Sequence, residues 1–471
     1  MSAHGPLSRA LRRLRNAPAG VGACVWLCVC LSPGVAAADL RIAAFQADVT
    51  PPIGSPLCHG SVSNALTIVD PLTARGVVLL ASGQKPIVLC AVDWVANSNA
   101  GYDAWRAALA DAAGTTVERV AVHTVHQHDA PGCDFSTEEL LPARGLTNKF
   151  SNVPFAREAI ARAARAARKA IAQATTVTHI GVGQGKVEQF ASNRRVLGPD
   201  GKVKHVRMSA CRDPKVRAEP EGIIDPFVRV VSFWENDQPR AALSYYAVHP
   251  MSYYGRGGVS ADTVGIARSL REAALPGVPH IHFNGAGGNV TAGKYNDGSP
   301  ENRPVLARRL ARGMEVAWKT ARKSPLRAGD VEWRVRPVAL PLREELSDEA
   351  PALKTLADTS AKFHDRARAA RQLVWARRCK AGHRIDLSCL RLGSVRVLHM
   401  PGELFVEYQL AAQQMRPDAT VCVAAYGDDG CGYIGTEIAY SQGGYETTQV
   451  SQVAPRVEQV LMEGMRALLE R

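Results

Sequence analysis

Four short polar segments each stand directly behind an apolar, strand-like run. His126-Gln127-His128 follows residues 119–123, and His249-Pro250 follows 241–248. Pro401-Gly402-Glu403 follows 394–400, and the stretch from Gly427 to Gly430, with Tyr433 beyond it, follows 420–426. In layered α/β proteins, functional groups collect beyond the carboxyl ends of strands. Four such ends delivering imidazole, carboxylate and phenol groups form the pattern of a metal site built from distant segments. These are zinc's usual nitrogen and oxygen donors, and a hydrolytic site keeps one position for water. The densest segment is HTVHQHDAPG, where positions 126 and 128 share one face if the strand continues that far. His123, inside the strand, reads as structural. Each feature alone has an ordinary explanation: paired surface histidines, a hydrogen-bonded loop histidine before Pro250, or a carboxylate at a helix start. Their recurrence at strand ends predicts a single zinc site.

The Gly-rich segment FNGAGGNVTAGKYNDG, residues 283–298, suggests close approach of the backbone to a substrate oxyanion or a phosphate. It lacks the Lys-Ser/Thr of a P-loop and the spacing of a dinucleotide fingerprint, so nucleotide binding is excluded.

The elements that must position these groups alternate along the chain. Short Val-, Ile-, Leu- and Tyr-rich runs predict strands at 41–47, 76–81, 86–92, 119–123, 177–183, 227–234, 241–248, 280–284, 331–340, 389–399 and 420–426. Helices are predicted at 102–113, 155–174, 264–274, 303–321, 350–379, 404–415 and 452–469. The mixture predicts an α/β (α+β layered) fold, with mixed β-sheets flanked by helices in one large catalytic domain. Residues 341–388 read as a polar helical insertion or lid. Residues 196–221, rich in Gly and Pro, read as a long excursion loop.

The first 38 residues read as a cleaved secretory signal. Arg9, Arg12, Arg13 and Arg15 precede a short apolar run at 21–31, and Ala36-Ala37-Ala38 offers a cleavage site. The expectation is export, periplasmic or secreted. Eleven cysteines are present, three of them in the leader. The eight that remain suit either disulfides, with Cys379/Cys389 and Cys422/Cys431 near enough in sequence to pair, or reduced buried thiols. The formal charge of +13 raises the question of nucleic acid. The Arg-rich stretch at 157–169 has helical spacing, which reads as a solvated helix face and argues for no nucleic-acid partner. Attraction to acidic headgroups is left as a peripheral membrane contact. Oligomeric state is not legible.

Taken in order, the motifs resemble those of the neutral/alkaline non-lysosomal ceramidases. FQADVTPPIGSPLCHG resembles that family's first strand and turn, and VAVHTVHQHDAPG its THTHxGPG segment. SNRR at 192–195 is similar to its NRS segment. GIIDPFVRVVSFWEND followed by SYYAVHP resembles the approach to its second metal histidine. VSADTVG, MPGELF and GYIGTEIAYSQGGYE resemble its SGD-type, PGEF and YITTxxEYxxQxYE segments. The match spans about residues 41 to 450 in one order.

By this resemblance, His126, His249, Glu403 and Tyr433 match the zinc ligands. His128 matches the histidine beside the reacting group, Arg194 an arginine lining the site, and Thr291 a serine of a GDVSPN-like segment. Val125, Gln127, Asp129 and Ala130 depart from the histidine motif, and the family's usual terminal immunoglobulin-like domain is not in this sequence. The metal set is kept, while the departures fall in parts that would recognise lipid. The resemblance implies a zinc-dependent amidohydrolase cleaving the amide bond of an N-acyl, lipid-like small molecule with a zinc-activated water. The alternatives are a zinc esterase or other N-acyl hydrolase on the same site, or a non-catalytic exported binding protein on a hydrolase scaffold.

Overall fold

The computed structural model describes residues 40–470; the predicted leader lies outside the described residues. Three large mixed sheets flanked by helices, with five two-stranded pairings between other segments, are found among the described residues. The first has the order Val120–Thr124, Ile87–Val92, Thr73–Ala81, Leu40–Asp48, Thr175–Thr176. The second runs His280–Asn284, Gln238–Tyr246, Phe227–Glu235, His179–Lys186, Arg322–Pro325. The third runs Val331–Val338, Ile385–Leu392, Val395–His399, Thr420–Ala424.

One face of each sheet contributes to a shared core that includes Leu79, Leu89, Leu243, Phe283, Leu390 and Val397, all buried. The outer faces are covered by helices. Val153–Ile171 lies on the first sheet, Asn302–Lys319 on the second and Val457–Leu469 on the third. The alternation of buried residues on two faces is what lets one strand serve two cores. Gly183 and Gly185 make the second contact close: a Cβ there would lie 2.0 Å from the Ala317 carbonyl oxygen and 2.1 Å from that of Gly313. The Arg-rich stretch is the outside of the Val153–Ile171 helix. Phe155, Ala159, Ile160, Ala163 and Ala167 are buried beneath it, and Glu158 pairs with Arg162 and Arg165 on the exposed side.

Each sheet has a parallel pair at one edge: Ile87–Val92 with Val120–Thr124, Gln238–Tyr246 with His280–Asn284, and Val395–His399 with Thr420–Ala424. The carboxyl ends of these pairs are tied together by backbone hydrogen bonds. The Thr124 N–H donates to the Tyr426 oxygen at 2.9 Å, and the Ala425 N–H to the Asn284 oxygen at 3.0 Å. The three edges thus converge at one point.

Several element boundaries differ from the sequence reading. The strand predicted over 389–399 is a hairpin, because Gly393 turns the chain with φ +57° between Leu392 and Val395. The helix predicted over 350–379 is two, Ala350–Ala357 and Phe363–Lys380. The Asp358 carboxylate accepts from the Ser360 N–H and interrupts the helical ladder. The excursion at 196–221 holds its own hairpin, Arg195–Leu197 against Val203–Val206, and a short helix, Pro214–Ala218. The eight described cysteines are all free, so neither suggested disulfide forms; five of them are buried thiols. Among the described residues no helix is long and apolar enough to cross a membrane.

Candidate functional site

Beyond the converged strand ends, His126, His249 and Glu403 meet. All three are buried, and one ligand atom from each lies within 4.8 Å of the others. His126 does not get there by strand alternation, as its spacing from His128 had suggested. The strand stops at Thr124, and His126 takes a left-handed conformation, φ +73°. This rare conformation for a non-glycine residue is held by the His126 N–H donating to the Trp94 oxygen at 2.9 Å. His249 follows the Gln238–Tyr246 strand, and its N–H donates to the Val290 oxygen. Glu403 and Tyr433 are opposite partners in a two-residue parallel pairing, Glu403–Leu404 with Tyr433–Ile434.

The rings are oriented from behind. His126 Nδ1 donates to the Val95 carbonyl at 2.6 Å and His249 Nδ1 to the Gly287 carbonyl at 2.7 Å. A carbonyl can only accept, so each neutral ring carries its proton on Nδ1 and presents a lone pair on Nε2. Both lone pairs face the same carboxylate oxygen: Glu403 Oε2 lies 3.1 Å from His126 Nε2 and 3.0 Å from His249 Nε2. His126 Nε2 and Glu403 Oε2 have no hydrogen-bond partner. Acceptors facing acceptors at this range in a buried site call for a cation between them. Donor atoms around a tetrahedral zinc, with bonds of ~2.0–2.1 Å, stand roughly 3.3 Å apart, so the set fits such an ion. The electrostatics show the same need for positive charge at this point. Burial works against charge on His126 and on Glu403, but each outweighs it for the other: the Glu403 charge moves the His126 pKa up, and the imidazoles hold the Glu403 carboxyl well below its usual range. Burial, aided by the charge of Arg194, moves His249 down to about 4.

Tyr433 stacks on His249, with ring centroids 6.0 Å apart, and its hydroxyl lies 3.1 Å from His249 Nε2. His128 is the next ring outward, 4.9 Å from His126 and 6.3 Å from His249 between centroids. Its Nδ1 is buried and unpartnered, and burial moves its pKa well down, so the ring is neutral. A cavity of about 160 Å³ opens in front of this group.

Two residues expected to face substrate stand elsewhere. Arg194 lies behind Tyr433: its guanidinium carbon is 4.9 Å from that ring's centroid, and Nε pairs with Glu446 Oε1 at 2.7 Å. Thr291 does not line the cavity, because its hydroxyl donates to the Arg207 carbonyl at 3.0 Å. The Gly-rich segment packs closely on the protein's own backbone. A Cβ at Gly288 would lie 2.2 Å from the Glu403 carbonyl oxygen, and one at Gly287 2.8 Å from the Val248 carbonyl carbon. His123 is structural as expected; its Nδ1 donates to the Ala425 carbonyl, and Nε2 faces His399 Nδ1 at 2.9 Å.

The sequence reading took 341–388 as an insertion or lid but named none of the residues with which it walls the cavity. His364, Ala367, Arg368, Arg371 and Gln372 line it from the Phe363–Lys380 helix, and Cys58, His59 and Phe150 add to the lining from elsewhere in the chain. The signal was present as i, i+3, i+4, i+7, i+8 spacing, but a polar stripe on a charged helix does not by itself say which of its residues meet a cavity.

No family model matches the chain, and no curated protein matches it in sequence. Solved structures do match. The neutral ceramidase from Pseudomonas aeruginosa superposes with TM-score 0.66 at 19% identity, over 92% of this chain and 74% of that one. A ceramidase complexed with C2 does so with TM-score 0.66 at 16% identity, over 92% and 75%. At such identity the likeness is one of fold, and it extends over 92% of this chain. The chain has the fold of the neutral ceramidases.

Proposed function

We propose that the chain is an exported zinc-dependent hydrolase that cleaves the amide bond of an N-acyl substrate. The observation that carries this reading is the buried meeting of His126, His249 and Glu403, whose ligand atoms face one another while both rings are held from behind. Likeness of fold to ceramidases, one of them named as complexed with C2, supports an N-acyl compound as substrate. The basic, then apolar, then small-residue order of the first 38 residues supports export.

His126, His249 and Glu403 would hold the ion, with the Tyr433 hydroxyl beside them. Zinc so held supplies Lewis acidity, which makes water acidic enough to attack near neutral pH and polarises a carbonyl. The neutral His128 ring accepts the proton that the attacking water loses. The Tyr433 hydroxyl donates to the oxyanion that develops as the carbonyl carbon becomes tetrahedral. When the C–N bond breaks, His128 returns its proton to the leaving amine nitrogen. Arg194, anchored by Glu446, keeps the Tyr433 ring in place. The Phe363–Lys380 helix acts as the wall or lid of the cavity.

Metal analysis of the purified chain tests this directly. Stoichiometric zinc, lost in His126→Ala and His249→Ala together with hydrolysis, is the expected result. Zinc retained at full stoichiometry in the double variant would overturn the site. A chain that binds no zinc and hydrolyses neither amides nor esters would be a binding protein on this scaffold.

A further inference from the structure

We infer that the substrate is a small N-acyl compound carrying a carboxylate or similar anionic group, held by Arg368 and Arg371 from the Phe363–Lys380 helix and by His59 on the facing loop. This rests on the hydrolase reading above and specifies its substrate class.

The charges on the cavity wall do not balance. Arg371 is matched by Asp429, whose Oδ2 accepts from its guanidinium at 3.0 Å. Arg368 has no acidic partner among the described residues; its guanidinium donates to His364 Nε2 at 2.7 Å, one turn back on the same helix. Glu403 is committed to the metal set. With a divalent ion in place, the cavity therefore carries excess positive charge. An uncharged amide would leave that excess unanswered in a half-enclosed space, where Coulomb interactions are stronger than in water. A carboxylate would answer it with charge-assisted hydrogen bonds.

His59 is built into the same cavity by an unusual arrangement. Cys58 and His59 are consecutive left-handed residues, φ +46° and +54°, a backbone conformation that costs energy and concentrates at functional sites. The imidazole is sandwiched. One face stacks on Phe150 at 4.4 Å between centroids. The other lies against Gly132, where a Cβ would come within 2.1 Å of Cε1 and 2.5 Å of both ring nitrogens, so only glycine leaves room. With both faces covered, the nitrogen-bearing edge is what remains to meet a ligand, and both nitrogens are buried without a partner. A ring held this firmly, with its polar edge unsatisfied, is placed to hydrogen-bond substrate.

Size points the same way. The cavity of about 160 Å³ is below the ~300–1,000 Å³ of pockets that enclose drug-sized ligands. It suits a short acyl group with a compact charged end, and longer chains would have to extend out through its open mouth.

The anionic group can sit on the amine portion or on the acyl portion, so the test uses two matched pairs on the zinc-loaded full chain. N-hexanoylglycine is compared with N-hexanoylglycinamide, and N-methylsuccinamate with its uncharged N-methylsuccinamide. The charged member of one pair should be preferred by about tenfold or more in kcat/KM, the size of one charge-assisted hydrogen bond, with the difference carried by KM. The pair that shows it identifies the portion bearing the charge. In Arg368→Gln the ratio should collapse toward one. Added salt should shrink it in the parent protein. In His59→Phe, which keeps the stack on Phe150 but removes the nitrogens, KM for the charged member should rise more than kcat falls.

Binding is read separately by calorimetry on zinc-loaded His128→Ala, where no turnover is expected. Equal affinity for charged and uncharged members of both pairs would overturn the inference, as would a ratio unmoved in a folded Arg368→Gln. Charge-selective binding with no hydrolysis of any member in the parent protein would instead overturn the hydrolase reading and leave the anion site standing.

Discussion

Glu403 and Tyr433 are register partners in a two-residue parallel pairing, so a carboxylate and a phenol enter the site side by side from two successive strand ends. The Tyr433 hydroxyl ends 3.1 Å from His249 Nε2, close enough to act on whatever the histidines and Glu403 hold. Tyr433→Phe keeps the ring stack on His249 and removes only the hydroxyl. Zinc content should stay the same while kcat falls by about 10²-fold, the typical cost of removing one oxyanion donor. Unchanged kcat in this variant would remove Tyr433 from the reaction.

Gly288 controls how closely its loop approaches the backbone of Glu403. A methyl group there would meet the Glu403 carbonyl oxygen at 2.2 Å, and backbone cannot yield as a side chain can. Gly288→Ala should destabilise the fold by about 1–3 kcal/mol and weaken zinc binding by roughly tenfold or more through displacement of the ligand. Chelator competition measures the second effect. Wild-type affinity in a folded variant would contradict the role given to this glycine.

Metal binding should be visible as stability. A ligand that binds only the folded state at a hundredfold excess over its Kd stabilises by about 2.7 kcal/mol. Chelation should therefore lower the melting temperature of the parent protein. In His249→Ala the melting temperature should not respond to chelator. The same downward shift in both proteins would place the metal elsewhere.

The segment that orients His126 depends on a buried ion pair. Asp93 accepts from both terminal nitrogens of Arg268, at 2.7 and 2.6 Å, and from the backbone and hydroxyl of Thr73. Trp94 and Val95, next in the chain, supply the carbonyls that hold His126. Burial raises the Asp93 pKa, but Arg268 and the hydrogen bonds outweigh it, and the net direction is down. A folded-state pKa below the unfolded value of about 3.9 contributes stability that is fully present above that value. This stability is lost as pH falls through the folded pKa. Asp93→Asn should thus cost about 3–5 kcal/mol at neutral pH, the usual penalty for stranding one member of a buried pair. Its stability should also fall less steeply in acid than the parent's. Parallel acid-unfolding profiles would show that Asp93 is not ionised by its partner.

Much of the site was legible because chemistry at strand ends leaves a local signature. His126, His128, His249, Glu403 and Tyr433 each follow an apolar run, so strand periodicity and donor types nominate them, and the resemblance of motifs singled out the four expected to hold the metal. The layered fold followed from the same alternation. Local pattern failed where a single residue redirected the chain. Gly393 split a strand, Asp358 split a helix, and the left-handed turn at His126 replaced the strand alternation first invoked for the histidine pair. Arg194 and Thr291 were expected at the substrate and are found engaged by Glu446 and by the Arg207 carbonyl. Their hydroxyl and guanidinium groups could serve either use, and only packing chose.

What the amino-acid order determined by itself was therefore which groups are available and at which strand ends they emerge, since both depend on residue type and on periods of two or four residues. The tertiary structure alone decided that three parallel edges converge, which way each imidazole turns, and that a charged helix lines the cavity with His364, Arg368 and Arg371. Those outcomes depend on contacts between segments tens to hundreds of residues apart, and short-range periodicity carries no record of them.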